Sequence, residues 1–432
     1  MTINDINAEF KKYPVYQDSG EYWMGEIPIN WELKKLKHLF FEKKIIHNPE
    51  LNCGSISFGK VVYKDDDKIP FSTKASYQEV LDGEFLINPL NLNYDLISLR
   101  IALSDKNVVV SSGYIVLKDK EQIDKDYYKW LLHRYDVAYM KLLGSGVRQT
   151  INFNHIANSL LAFPSLPEQN GIANFLDNKT AKIETAIAQK EKLIELLKER
   201  KKIMIQNAVT KGLDPNAKMK DSGVEWIGEI PEDWLVTQIR KITLTTSGST
   251  PQSGNIEKYY NGQFSWVRTT DLNNDELFDT PVKITESAIR DTACKLMPEN
   301  TVCVAMYGGP GTIGKHSILR FSGTINQALC GILPSEKLNQ DFLYYYVKFY
   351  RPHWMFVAKG SRVDPNISQD EVRKMYIPLI PKEEQTQIVT HIETQSAKIN
   401  NAISLQQTQI EKLKEYKATL IDSAVTGKIK VC

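Results

Sequence analysis

Between Gln169 and Thr210 the apolar residues, with a few polar interruptions, fall at alternating steps of three and four: Ala173, Leu176, Thr180, Ile183, Ile187, Lys190, Ile194, Leu197, Lys201, Met204 and Ala208. This is the seam of a heptad, and it predicts one long helix over a run with no proline and a single glycine. Moved on by 216 positions, the seam returns as Val389, Ile392, Ser396, Ile399, Ile403, Gln406, Ile410, Leu413, Lys417, Leu420 and Ala424. A helix of roughly 40 residues is about 60 Å long, more than its small neighbours can cover. We therefore expect residues 169–210 and 384–426 to pair as an antiparallel coiled coil, with Ile183, Ile187, Ile194 and Leu197 of one helix and Ile399, Ile403, Ile410 and Leu413 of the other on the buried seam.

Elsewhere the apolar runs are short and broken by turn residues. Lys60–Tyr63, Glu84–Ile87, Val108–Val110 and Tyr114–Leu117 read as strands, bounded by Asp82-Gly83, Asn88-Pro89 and Ser112-Gly113. A helical stretch, Asp126–Tyr135, precedes a Gly-Ser-Gly loop with Arg148 and the Pro164-Ser-Leu-Pro167 break. The framework then repeats. Asp18–Trp31 and Asp221–Trp234 agree at nine of fourteen positions, two Trp, two Gly and a Pro among them, at an offset of 203. By Leu81-Asp-Gly-Glu84 against Leu296-Met-Pro-Glu299 the offset is 215, so the second copy carries about twelve extra residues between Trp234 and Leu296. The chain is a tandem duplication with matching frames and different contents. The expected fold is α+β: two tandem α/β domains separated and joined by the two long helices, with pseudo-twofold symmetry.

The boundaries follow from these marks: an N-terminal arm and first entry motif at 1–31, a globular domain at 32–163, a helical spacer at 164–212, a linker and second entry motif at 213–234, a second domain at 235–377, and a C-terminal spacer at 378–432. A length of 432 residues suits about three domain-sized units, and 42% apolar with 25% charged residues is ordinary globular composition. Net charge of +2 is too small to announce a nucleic-acid binder, so any such footprint must be local. Five scattered cysteines form no C-x-x-C pair and suggest reduced thiols. With no signal-like start and no run of about 18 apolar residues, the expected location is the cytoplasm, without a membrane partner.

Gly309-Pro-Gly-Thr-Ile-Gly-Lys-His316 matches a phosphate loop except that His316 replaces the Mg²⁺-binding hydroxyl, and the residues after Lys315 read as strand and turn rather than helix. We take it as an exposed glycine-rich tip carrying Thr312 and Lys315 toward a phosphate backbone. Asp65-Asp66-Asp67 reads as a solvated turn rather than a metal site, and no metal site is expected. No amino-methylation tetrad, glycine-rich cofactor loop or His-Glu-x-x-His motif stands in the chain, so no catalytic residue is named. Polar side chains able to read bases concentrate in loop-like stretches: Lys60, Asn91, Asn93, Arg100, Arg148 and Gln149 in the first half; Arg268, Thr269, Thr270, Asn326, Gln327 and Arg362 in the second. Arg matches guanine, and Asn or Gln matches adenine, in the major groove. The run Lys198-Glu-Arg-Lys-Lys202 is a charged helix face able to touch phosphate.

Together the twofold D-S-G…W-x-G-E-I-P…W motif, Pro164, Pro167, Glu168, Gln169 and their echo Pro378, Pro381, Glu384, Gln385, the Gly-Thr-Ile-Gly-Lys loop at 311–315, and the helix ends Ala208–Thr210 and Ala424–Thr426 resemble one family: the specificity subunits of type I restriction-modification systems. The resemblance covers nearly the whole chain. It implies two target recognition domains, each reading one half of a bipartite site in double-stranded DNA. It also implies docking of two methylation subunits that use S-adenosylmethionine on adenine N6, and of two restriction subunits that use ATP and Mg²⁺. This chain would be the non-catalytic reader and bind no cofactor. A self-contained methyltransferase or nuclease, and a protein-only helical adaptor, are the competing readings.

Overall fold

The computed structural model describes residues 10–91, 99–140, 149–308, 311–358 and 366–431. The chain divides into two compact units, residues 1–191 with 406–432, and residues 192–405. Both long helices cross that division: α2, Leu166–Lys211, has 46 residues and α4, Lys382–Val425, has 44. Helix α2 begins three residues earlier than the sequence reading, with Pro167 in its first turn, where a missing N–H costs no hydrogen bond.

In the first unit a four-stranded antiparallel sheet runs in the order Ile101–Leu103, Phe85–Ile87, Ile115–Asp119, Phe40–Glu42. Helix α1, Lys125–Ala138, opens on Asp124, whose carboxylate accepts from the Tyr127 N–H at 2.8 Å. It buries Tyr127, Tyr128, Leu131 and Tyr135 in the same core as Trp23 and Trp31. Glu32–Lys35 pairs with Leu160–Phe163 where the chain enters and leaves the globular part. In the second unit a five-stranded sheet takes the order Thr245–Ser247, Leu329–Ile332, Val302–Ala305, His316–Leu319, Glu276–Leu277, beside a three-stranded one built on Tyr260–Val267. Helix α3, Gln340–Ala358, covers it, and Leu235–Gln238 pairs with Tyr376–Leu379 at the neck. The strand at His316–Leu319 agrees with the expectation that no helix follows Lys315.

The repeated motifs turn out to be the joinery of each unit. Tyr16–Asp18 pairs with Glu26–Pro28, and Met219–Asp221 with Glu229–Pro231. In the turns between them Asp18 and Asp221 accept from the N–H of Gly20 (3.0 Å) and Gly223 (2.9 Å). Both glycines have φ of +71°, a conformation that other residues adopt only with strain. Trp31 Nε1 donates to Glu168 at 3.3 Å and Trp234 Nε1 to Glu384 at 3.0 Å. Gly212 and Gly427, at φ +73° and +71°, close α2 and α4 in the left-handed region. A Cβ on either would stand 3.1 Å from the Trp234 ring or 3.0 Å from the Trp31 ring. Each motif tryptophan therefore sits where the start of one long helix meets the end of the other.

Every residue of the expected seam is buried or half-buried in the two helices, the eight isoleucines and leucines named above included. Within the first unit Lys190 Nζ donates to Gln406 (3.1 Å) and Gln409, and Lys417 meets Glu184 at 2.6 Å; within the second, Lys201 Nζ donates to Asn400 at 3.0 Å. Numbers that rise along one helix and fall along the other make the pairing antiparallel. It also places Ile187 in the cluster that holds Leu413, rather than opposite Ile403.

Candidate nucleic-acid interface

Hydrogen-bond register gathers most of the second unit's candidates at one end of its sheets. Trp266–Val267 runs parallel to Thr324–Ile325, so Arg268 and Asn326 leave together, and the Asn326 N–H donates to the Val267 carbonyl at 2.9 Å. Ala305 pairs with Leu329, and the Met306 N–H donates to Ala328 at 2.8 Å, which brings Gln327 to the start of the glycine-rich loop. That loop returns through Gly314 and Lys315, bonded on both sides to Ala305 at 2.9 and 2.8 Å. Gly248 crosses so close to Ile325 that a Cβ would lie 1.9 Å from its carbonyl oxygen. The Ile367 N–H donates to Met306 at 2.8 Å, at the far end of the segment containing Arg362, which lies outside the described residues.

The side chains on this edge differ in what they are free to do. Asp271 grips the Arg268 guanidinium with two bonds of 2.9 and 3.0 Å and holds its pKa up through them. A base would have to share that fork, with Asp271 fixing its plane meanwhile. Thr270 and Gln327 are exposed, Thr269, Thr312, Lys315 and Asn326 half-buried. Thr250 Oγ1 donates to Gln327, and Asn326 Oδ1 accepts from Ala328 at 3.2 Å. Lys315 has no carboxylate partner among the described residues. Arg351 latches the loop from α3, donating to the Gly311 carbonyl at 3.0 Å and to Asn274 at 3.2 Å. Burial pushes the neighbouring His316 imidazole down to about 4, so that it is neutral at physiological pH. Sequence reading missed the pairing of Asp271 with Arg268, and missed Arg351. The first was legible as a carboxylate three residues after Arg268; the second lies 40 residues from its partner and left no local signal.

In the first unit Leu90–Asn91 pairs with Gln149–Thr150, setting Asn91 opposite Gln149 in the backbone register. Lys60 is exposed beside the turn Phe58-Gly59, whose φ angles are +48° and +72°. Asn93 and Arg148 lie outside the described residues. Arg100 requires a correction: it is 6% exposed, its Nε donates to Asp136 at 3.2 Å and its N–H to the other carboxylate oxygen at 2.5 Å. It neutralises a carboxylate in the core and presents no fork to a base. Asp66 likewise does not simply face water; it accepts from the Cys53 N–H and from Lys74, both at 2.7 Å, while Asp65 and Asp67 are exposed. Among the described residues no cluster of His, Cys, Asp and Glu could hold a metal ion, and no helix is long and apolar enough to cross a membrane.

Residues 28–196 and 231–415 match the family described as "Type I restriction modification DNA specificity domain". The putative type I restriction enzyme MjaX specificity subunit of Methanocaldococcus jannaschii is 24% identical over 94% of this chain and 96% of its own length. The MjaVIII specificity subunit of the same organism is 23% identical over 94% of each. Among solved structures, a chain from work on complex assembly and conformational transition of the type I R-M system superposes with a TM-score of 0.69 at 15% identity, covering 92% of this chain and 98% of that one. At such identity the last likeness speaks for the fold.

Proposed function

The chain belongs to the type I restriction-modification DNA specificity family, and from that premise we propose that its two halves read the two halves of a bipartite, asymmetric DNA site. In this reading residues 32–163 and 235–377 are the recognition domains, the paired helices set the unread gap, and two methylation subunits dock on them, joined by two restriction subunits for cleavage. The chain itself carries no catalytic group; S-adenosylmethionine, ATP and Mg²⁺ belong to the partners. The observation that carries the reading is repetition of the frame with divergence of its contents. Trp31–Glu168–Gly427 and Trp234–Glu384–Gly212 are one joint made twice, whereas the Gly-Thr-Ile-Gly-Lys sequence of the loop beyond Ala305 does not recur in the first half of the chain. Identical joints hold two domains in equivalent roles, and different loops give them different targets.

On the second unit's edge, Lys315 and the glycine-rich loop suit phosphate, while Arg268, Asn326 and Gln327 suit base edges. Complexes of this chain with a methylation subunit should bind the duplex they methylate with an affinity that falls steeply as salt rises. The purified chain incubated with DNA, S-adenosylmethionine, ATP and Mg²⁺ should neither methylate nor cut. Turnover by the chain alone would favour a self-contained enzyme; salt-independent or absent DNA binding by the complex would favour a protein-only adaptor.

A further inference from the structure

The two units differ at one equivalent place, whose lining shares no residue with the recognition edge. In the second, a groove of about 480 Å³ opens between α2 and α3. Its walls carry Trp226, Phe349 and His353; Lys201, Lys202 and Lys348 stand over them. The Trp226 ring lies 5.1 Å from that of His353 and 4.3 Å from that of Tyr350. Lys201 is bonded to the neutral amide of Asn400 at 3.0 Å and Lys348 to the Tyr344 hydroxyl at 3.2 Å. Lys198 and Lys202 meet Glu195 and Glu199 only in exposed pairs along the helix, which neutralise little. No carboxylate is among the residues that line the groove.

In the first unit an ion pair stands at the corresponding place. Arg134, 215 residues before Phe349, reaches Asp422, 216 residues after Gln206, at 2.5 Å, and Lys428 joins that carboxylate at 2.8 Å. Trp23, the counterpart of Trp226, is 3% exposed, whereas Trp226 is half-buried. The two exchanges, Arg for Phe and Asp for Gln, remove the bridge and leave an aromatic floor under unneutralised lysines.

We propose that this groove, which stands where the first unit has the Arg134–Asp422 ion pair, docks an acidic segment of a partner protein that carries an aromatic or aliphatic anchor residue. The floor takes an apolar side chain, and the lysines take flanking carboxylates. Aromatic anchors in a desolvated pocket supply affinity, and the charged rim supplies selectivity and a fast on-rate. A DNA duplex offers phosphates to the lysines but nothing apolar to fill the floor. The groove also makes the two units unequal toward partners, independently of which bases are read.

The probe is a fluorescein-labelled octapeptide of glutamates around a central leucine-tryptophan pair, titrated by anisotropy against the full chain in its complex with the methylation subunit. Saturable binding is expected, weakened at least tenfold by Gln206→Asp with Phe349→Arg, which rebuilds the bridge of the first unit. Lys198→Glu with Lys202→Glu, on an exposed helix face, should weaken it similarly while keeping the unfolding midpoint. Binding of the target duplex by the variant with Gln206→Asp and Phe349→Arg should stay within twofold, which separates this groove from the recognition edge. Equal binding of an all-glutamate peptide, no effect of either variant, or loss of duplex binding in step with peptide binding would each overturn the proposal.

Discussion

Gln169 and Gln385 are each fully buried, and each uses both ends of one amide. Gln169 accepts from the Asp124 N–H at the start of α1 and donates to the Pro164 carbonyl, both at 2.9 Å. Gln385 accepts from Asn339 at 2.8 Å and donates to Ile380 and Lys337 at 2.9 and 3.0 Å. Their recurrence after Pro-x-x-Pro was plain in the sequence; their task was not, because the N–H groups that they accept from lie 45 and 46 residues away. Arg100 shows the opposite failure, since nothing local distinguishes an arginine that reads bases from one that neutralises a buried carboxylate. His316 gives a test at this scale. It is 1% exposed, and burial holds its imidazole near a pKa of about 4 against 6.5 in the unfolded chain. Between those values the unfolded chain binds a proton that the folded chain does not, so stability falls as pH drops through 6.5 and levels off below 4. At pH 5 the loss should be roughly 2 kcal/mol. Urea unfolding of His316→Gln at pH 7 and pH 5 should show a smaller pH difference than the wild type by about that amount; an equal difference would remove His316 as its source.

Among elements, the long helices were legible because a heptad seam is a local signal repeated many times over. Strands such as Lys60–Tyr63 and Val108–Val110 were legible for the same reason. Phe40–Glu42 and Ile101–Leu103, the outer strands of the first sheet, have three residues each and exist through pairing with distant partners, which no window of sequence reveals. The seam named the residues that pair but not their register. Lys190 with Gln406 and Lys201 with Asn400 now fix it: Ile187 lies toward Leu413 and Ile403 toward Leu197. Since ten helical residues span about 15 Å, Ile187→Asp and Ile403→Asp should act independently. Each should cost about 2 kcal/mol for placing a charge on a half-buried seam, and the double variant should lose the sum. A coupling above about 1 kcal/mol in urea unfolding would mean that the two isoleucines face one another.

For the whole molecule, the paired helices that run through both units act as a ruler in the reading proposed above. Because each helix leaves one unit for the other between Glu191 and Lys192 or between Leu405 and Gln406, lengthening one alone would slip the register of the pair. Matched insertions of four residues at both points, roughly one turn, add about 6 Å while nearly preserving each face. At about 3.4 Å per base pair the unread gap should widen by one or two base pairs with both half-sites unchanged. Matched insertions of two residues rotate the seam by about 200° and should abolish binding. An unchanged gap in the methylated motif after the longer insertion would mean that something other than these helices sets the spacing.

The claim that each domain reads its own half-site is tested most directly by a graft. Residues 235–377 begin and end in the paired strands Leu235–Gln238 and Tyr376–Leu379, so a relative of different specificity can supply them at a single joint. The measurement is the adenine-methylated motif in genomic DNA from cells that express the chimera with its methylation subunit. One half of the motif should change to the donor's, while the other half and the gap stay as they were. A motif altered in both halves, or in neither, would contradict the account.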